Sequence, residues 1–321
     1  MMSSDKLSIV VPVYGCPEAL NELCDRLIDT VTNIGIEFEI VLVDDCCPKG
    51  SWNVIKKLVA EHPEIVAAKL SRNFGQHYAI LCGLELSCGD WVVVMDCDLQ
   101  DRPEEITKLL AATHEGYQVV QAERYERKDG FLKQQFSKLF YRLLSYLTET
   151  EQNPGVANFG IYSRQAIDQV IALKESVRFF PVNIRWIGYS RTTIPVLHSE
   201  RAIGKSSYSF GKLLSLASSV ILGFSDKPLR LVVQAGFFVS IAAIGYSTYL
   251  AAKWLIFGSI VEGWYSLMVS LWLIFGLTIF VIGIVGLYIA RIFEDVKQRP
   301  LYIVEESLDQ TSFFALDEPS S

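Results

Sequence analysis

Basic charge, histidine and phosphate-binding glycine loops are all in short supply in this 321-residue chain, and each shortage excludes a class of protein. Lys and Arg number 29 against 36 Asp and Glu, a formal net charge of −7, so nucleic acid is not an expected partner. The four histidines, at 62, 77, 114 and 198, show no metal-ligand spacing. Neither a Walker pattern nor a Gly-rich dinucleotide loop occurs. The opening MMSSDKLSIVVPVYG lacks a secretory-signal pattern and runs straight into a strand pattern. Seven cysteines, at 16, 24, 46, 47, 82, 88 and 97, all lie in the first half, and no Cys-x-x-Cys partner accompanies the vicinal Cys46 and Cys47. That pair reads as small buried hydrophobes, and a cytoplasmic domain keeps all seven thiols reduced.

Charge is missing altogether from residues 231–252 and 263–290. Each stretch meets the roughly 20-residue need of a membrane-spanning helix, and the second is too long and too uniformly apolar for an average buried helix. Two spans, about 231–254 and 265–290, form a hairpin. The connecting GSIVEGW has no basic residue, although Lys253 lies just before it, whereas Lys227 and Arg230 precede the first span and Arg291, Lys297 and Arg299 follow the second. This bias predicts an integral protein of the cytoplasmic membrane with both chain ends in the cytoplasm. Trp254, Trp264 and Tyr265 fall where interfacial aromatics belong.

The first 125 residues alternate β-rich runs (7–13, 37–43, 66–70 and 91–95) with amphipathic helical stretches (17–33, 51–61 and 75–87). That rhythm predicts an α/β fold, a mostly parallel sheet flanked by helices, in which ligands gather at the carboxyl ends of the strands. Polar residues are stored at those ends: Tyr14 after the first, Asp44 and Asp45 after the second, Arg72 and Asn73 after the third, Asp96 and Asp98 after the fourth. The segment WVVVMDCDLQD is the most informative, because an apolar run empties into carboxylates at i and i+2. Extended backbone would put both on one face, offering hard oxygens to a divalent cation that clamps a diphosphate, whereas a turn would splay them. Asp44 suits a base N–H, and Arg72 suits phosphate oxygens.

Taken in order, IVVPVYG, VLVDD, KLSRNFGQHYAI, VVVMDCDLQD, NFGIYSR, RAIGKSSYS and FSDKPLRL, followed by paired spans, resemble the polyprenyl-phosphate glycosyltransferases of the GT-A fold, in glycosyltransferase family 2. The likeness covers roughly residues 5 to 305. It implies a cytoplasmic-face enzyme that moves a sugar, with inversion, from a nucleotide sugar onto a polyprenyl phosphate, with Mg²⁺ or Mn²⁺ as cofactor. It further implies that Pro12, Tyr14 and Asp44 bound the nucleoside and that Asp96, Asp98 and Gln100 hold metal and diphosphate. Arg124 and Arg201 would meet phosphates, and Ser206 and Tyr208 would line the acceptor side. Asp45, Arg72, Asn73 and His77 complete the expected donor site. The favoured donor is a UDP-hexose or UDP-N-acetylhexosamine, with GDP-mannose as the alternative.

Three departures from the family pattern matter. PVYGC stands where PVYNE is common and VDDCC where VDDGS is common, both flanking the nucleoside pocket. Asn158, Phe159 and Gly160 replace an Asp-Phe-Arg. An Asn cannot act as a general base, so the acceptor must already be nucleophilic. A phosphate monoester qualifies, with a second pKa near ~6, and a sugar hydroxyl does not. Asn158 would then orient an acceptor oxygen while Arg201 and Lys205 screen its charge.

The expected division is a GT-A catalytic domain over 1–200, a juxtamembrane segment over 201–228, the hairpin over 229–292 and a cytoplasmic tail over 293–321, disordered from Gln310. Stretches 131–149 and 210–224 read as interfacial helices at the headgroup plane. LYIVEE in the tail offers a further strand or a contact between copies, and a homo-oligomer is expected. The competing function is a membrane polysaccharide synthase using a hydroxyl acceptor, because VNIRW at 182–186 resembles QxxRW with Val182 in place of Gln. A catalytically silent membrane scaffold is the remaining class.

Overall fold

Strand β1, Leu7–Val13, is buried at every position, as a central strand covered on both faces must be. Its alternate residues enter two separate cores. Ile9, Val11 and Val13 pack with Leu20, Leu23 and Leu27 of α1 (Leu20–Ile34), Ile55 of α2 (Ser51–Glu61) and Leu109 of α4 (Ile106–Thr113). Val10 packs with Ile80 and Leu84 of α3 (Gln76–Leu86), Ile167 of α5 (Arg164–Ala172) and Phe180 of α6 (Phe180–Trp186). Helices therefore cover both faces of the sheet. These relations come from a computed structural model that describes residues 6–124, 156–173, 179–197, 227–257, 263–297 and 299–309.

The remaining strands are β2 (Phe38–Asp44), β3 (Ile65–Leu70), β4 (Trp91–Val94), β5 (Val119–Arg124), β6 (Val156–Ser163), β7 (Arg191–Val196) and β8 (Val304–Leu308). They form one sheet in the order β7-β5-β6-β4-β1-β2-β3-β8. Strands β1 to β4 run parallel, β6 opposes β4 and β5, and β5 and β7 run parallel to one another. Two reversals restore direction, so the carboxyl ends of β5 and β7 share an edge with those of β1 to β4. One rim thus collects Tyr14, Asp44, Arg72, Asp96 and the end of β5 at Arg124.

Close packing of α3 on the sheet explains a helical glycine that propensity alone disfavours. A Cβ on Gly83 would lie 2.4 Å from Cγ1 of Val10 and 3.3 Å from Cγ2 of Val43, both in β-branched, buried side chains with few rotamers to yield.

The chain forms two compact units, one built on the sheet and one on two long helices, α7 (Lys227–Phe257) and α8 (Trp264–Val296). At 31 and 33 residues, both exceed the ~30 Å hydrocarbon thickness at about 1.5 Å per residue. Phe237, Phe238, Ile244, Leu273 and Phe280 are exposed along them, and each helix contains a candidate membrane span. The LYIVEE segment takes the strand reading: the tail returns as β8, antiparallel to β3, and joins the sheet unit. Indole Nε1 of Trp52 donates to Glu306 at 2.8 Å, Lys69 pairs with Glu305 at 2.8 Å, and the Tyr302 hydroxyl donates to Glu85. The segments 131–149, 210–224 and 310–321 lie outside the described residues.

Candidate active site

Beyond the end of β4 the chain leaves regular structure, yet burial keeps a two-residue alternation. Met95, Cys97 and Leu99 are buried, while Asp96, Asp98 and Gln100 are half-buried. The strand ends at Val94 and the chain turns at Cys97 and Asp98, so the extended alternative does not hold here; both carboxylates are nonetheless partly accessible. The Gln100 backbone N–H donates to Oδ1 of Asp98 at 3.2 Å. Leu99 adopts φ +60°, a left-handed conformation uncommon for a branched residue and of a kind that collects at functional sites.

Two carboxylates with room for phosphate and water oxygens suit a six-coordinate Mg²⁺ or Mn²⁺, which seldom needs an all-protein cage. Among the described residues no group of three or more His, Cys, Asp or Glu could hold a metal on its own. The donor set thus fits a cation shared with a diphosphate.

Asp44 and Asp45 end β2 with both side chains buried, and their surroundings separate their roles. Burial pushes the Asp44 carboxyl up to about 6, against the Cys47 N–H donated to its Oδ1 at 3.3 Å and the nearby Lys69. Asp45 is also raised by burial. Its Oδ1 accepts the N–H of Phe74 at 2.7 Å and its Oδ2 that of Gly75 at 2.9 Å. Asp45, expected to meet the donor, thus ties down the loop between β3 and α3. Pro12 is likewise buried within β1, which leaves Tyr14, 53% exposed, as the accessible residue of that pair.

Arg72 and Asn73 are exposed on the same loop, and the Arg72 guanidinium lies 4.0 Å over the Phe74 ring. His77, an expected diphosphate contact, is half-buried at the start of α3. Its Nδ1 is buried with no hydrogen-bond partner among the described residues, and its ring meets Phe179 edge-on at 4.7 Å. Burial lowers it to about 4, so it is neutral at physiological pH. Together with Asn183 it lines a cavity of about 10 Å³, near the volume needed for one water. Val182 and Asn183 of the VNIRW stretch are buried on α6.

Asn158 occupies the expected edge. Gly160 pairs with Val94 in the antiparallel β4–β6 ladder, and continuing that register two residues puts Asn158 level with Asp96. Gly160 also accounts for the missing Arg of the family pattern. A Cβ there would sit 2.8 Å from the Val120 carbonyl oxygen and 2.7 Å from the Tyr162 hydroxyl. Arg124 ends β5 at the rim, opposite Val196. Arg201, Lys205, Ser206 and Tyr208 lie outside the described residues.

The cysteines require two corrections. Cys16 and Cys97 form a disulfide joining the loop after β1 to the centre of the Asp-x-Asp turn. Their separation of 81 residues carries no local signal, but β1 and β4 are adjacent and parallel, so their carboxyl ends meet. Cys46 and Cys47 are half-buried, and the Cys47 sulfur accepts the Gly15 N–H at 3.2 Å instead of filling a core.

A parallel-centred sheet covered by helices, with acidic residues and an Asp-x-Asp turn on its strand-end rim, is the GT-A architecture. The chain belongs to glycosyl transferase family 2, whose family model matches residues 8–171, and it is a glycosyltransferase. It is 35% identical over 301 residues to the uncharacterized glycosyltransferase YkcC of Bacillus subtilis, covering 94% of this chain and 93% of that one. It is 33% identical over 305 residues to the undecaprenyl-phosphate 4-deoxy-4-formamido-L-arabinose transferase of Proteus mirabilis, covering 94% of each. Glucosyl-3-phosphoglycerate synthase from Mycobacterium tuberculosis, solved with Mn²⁺, UDP and phosphoglyceric acid, aligns over 68% of this chain and 77% of that one, at 16% identity and a TM-score of 0.49.

Proposed function

We propose that this glycosyltransferase transfers a sugar from a nucleotide sugar to the phosphate of a polyprenol at the cytoplasmic face of a membrane, with inversion and with Mg²⁺ or Mn²⁺. The observation that carries this reading is chain connectivity at the rim. The sheet ends β7 on the edge that holds Asp44, Asp96 and Asn158, the chain then runs into two apolar helices, and it re-enters the sheet at the amino end of β8, beside the carboxyl end of β3. Two apolar helices long enough to cross a bilayer, carried on the same chain as the Asp96–Asp98 rim, suit an acceptor whose phosphate is borne by a lipid. The name of the 33% identical Proteus mirabilis relative supports the same acceptor.

In this mechanism Tyr14 and Asp44 bind the nucleoside, and Arg72 draws in the diphosphate by charge-assisted hydrogen bonds. Asp96 and Asp98 would hold the cation, which would stabilise negative charge on the departing diphosphate. An acceptor phosphate oxygen attacks the anomeric carbon from the face opposite the nucleotide. The carbon–oxygen bond to the β-phosphate breaks with its electron pair, and no proton needs to be moved. Asn158 orients the attacking phosphate through its amide, which suits a nucleophile that arrives already charged. The donor is a UDP-hexose or UDP-N-acetylhexosamine, the carboxylate of Asp44 accepting a uracil N–H.

Acceptor chemistry tests this reading. With one active donor and Mn²⁺, undecaprenyl phosphate is expected to give an organic-soluble glycolipid, whereas undecaprenol and free oligosaccharides give none. Efficient transfer to a hydroxyl would contradict the role given to Asn158 and favour a polysaccharide synthase.

A further inference from the structure

We infer that Gln76, which has no assigned role, is a positioning residue for the metal carboxylate Asp96, and that Asp45 acts on the same carboxylate through it. This inference rests on the metal-dependent reading above. Nε2 of Gln76 donates to Oδ1 of Asp96 at 2.5 Å. A carboxylate accepts only from the amino end of an amide, so the contact fixes which way the Gln76 side chain faces.

The placement of Gln76 is itself constrained. It is the first residue of α3, and the two residues before it, Phe74 and Gly75, donate their N–H groups to the two oxygens of Asp45. Gly75 takes φ +104°, a conformation that L side chains rarely adopt, and the buried Asp45 holds it there. One buried carboxylate at the end of β2 thus pins the loop after β3. That loop sets the first turn of α3, and α3 presents an amide to the carboxylate that follows β4.

Anchoring one oxygen removes rotational freedom from the Asp96 carboxylate and sets the plane in which it meets a cation. Outer-shell partners of this kind typically change metal affinity or activity by about 10–100-fold. The arrangement also explains why Asp45 is buried and spent on backbone groups although it neighbours Asp44: it acts through Gln76 and not by touching a ligand.

The opposite relation is physically distinct, because an amide that merely occupies the place of the cation would compete with it. The two differ in sign. The test is Mn²⁺ titration of the full-length protein in detergent, without donor or acceptor, read by loss of the free Mn²⁺ electron paramagnetic resonance signal. Gln76→Ala, and Gln76→Met as a shape-preserving second variant, are expected to weaken Mn²⁺ binding about ten-fold or more. Gln118→Ala serves as the control, since that amide contacts Gln165 at the opposite edge of the sheet, and it is expected to bind as wild type. Unchanged or tighter Mn²⁺ binding in both Gln76 variants would overturn the inference while leaving the metal reading intact. Absence of Mn²⁺ binding by the wild-type protein would overturn the metal reading and this inference with it.

Discussion

Asp98→Asn is expected to lower sugar transfer by about 10²–10³-fold, or roughly 3–4 kcal/mol of transition-state stabilisation, with little change in folding. The asymmetry follows from its surroundings. Asp98 is half-buried and accepts the Gln100 N–H at 3.2 Å, which an Asn carbonyl oxygen can accept equally well. The local turn therefore survives. What disappears is a negative charge facing a cation, and with it the ability to hold that cation where charge develops on the leaving diphosphate. Turnover at saturating Mn²⁺ should fall while the melting temperature stays close to wild type. Normal turnover at ordinary Mg²⁺ would remove Asp98 from the metal site.

Asp44→Asn is expected to make the protein more stable and less functional at once. Burial raises the Asp44 carboxyl from its ordinary value of 3.8 to about 6, so holding it ionised at neutral pH costs the folded state about 3 kcal/mol, at about 1.4 kcal/mol per pH unit. Between these two values the folded protein binds more protons than the unfolded chain. Wild-type stability therefore falls as pH rises from about 4 to about 6 and then levels off, relative to a variant that does not titrate there. Asn keeps an oxygen for the Cys47 N–H, so the exchange leaves no orphaned donor. Thermal melts should agree below pH ~4 and diverge in favour of Asp44→Asn above pH ~6. Uridine nucleotide affinity, measured by calorimetry at pH 7.5, should drop in the same variant. Equal melts across the range would mean that burial does not strain Asp44, and retained nucleotide affinity would remove it from the donor site.

Much of the sheet was legible because periodicity reports burial directly. The run 7–13 coincides with β1 and the stretch 51–61 with α2, since both elements bury faces that their side-chain pattern already marks. The rim follows from strand direction alone, because Asp44 and the Asp96–Asp98 segment end parallel strands of one sheet. Burial defeated finer assignment. Asp45 and Asp44 are adjacent and chemically identical, and only the hydrogen bonds to Phe74 and Gly75 separate a shaping role from a binding one. The sequence also does not show that the His77 ring meets Phe179 edge-on, a contact made 102 residues away.

Non-local contacts stayed hidden for a related reason. The Cys16–Cys97 disulfide and the pairing of Gln76 with Asp96 join segments 81 and 20 residues apart, and the spacing rules that find metal or thiol motifs search only neighbouring positions. β8 was open between two readings, a strand or a contact between copies, because an exposed five-residue segment has too short a pattern to choose. Its partner β3, with Lys69 pairing Glu305, and α2, with Trp52 donating to Glu306, made the choice.

The most direct test of the account is a release assay on the full-length protein in detergent with Mn²⁺, a panel of UDP- and GDP-sugars, and undecaprenyl phosphate present or absent. The account predicts nucleoside diphosphate release from one donor that depends on the lipid phosphate and matches, mole for mole, the sugar recovered in the organic phase. Release that proceeds equally without lipid, or in step with sugar appearing on a hydroxyl acceptor, would contradict it.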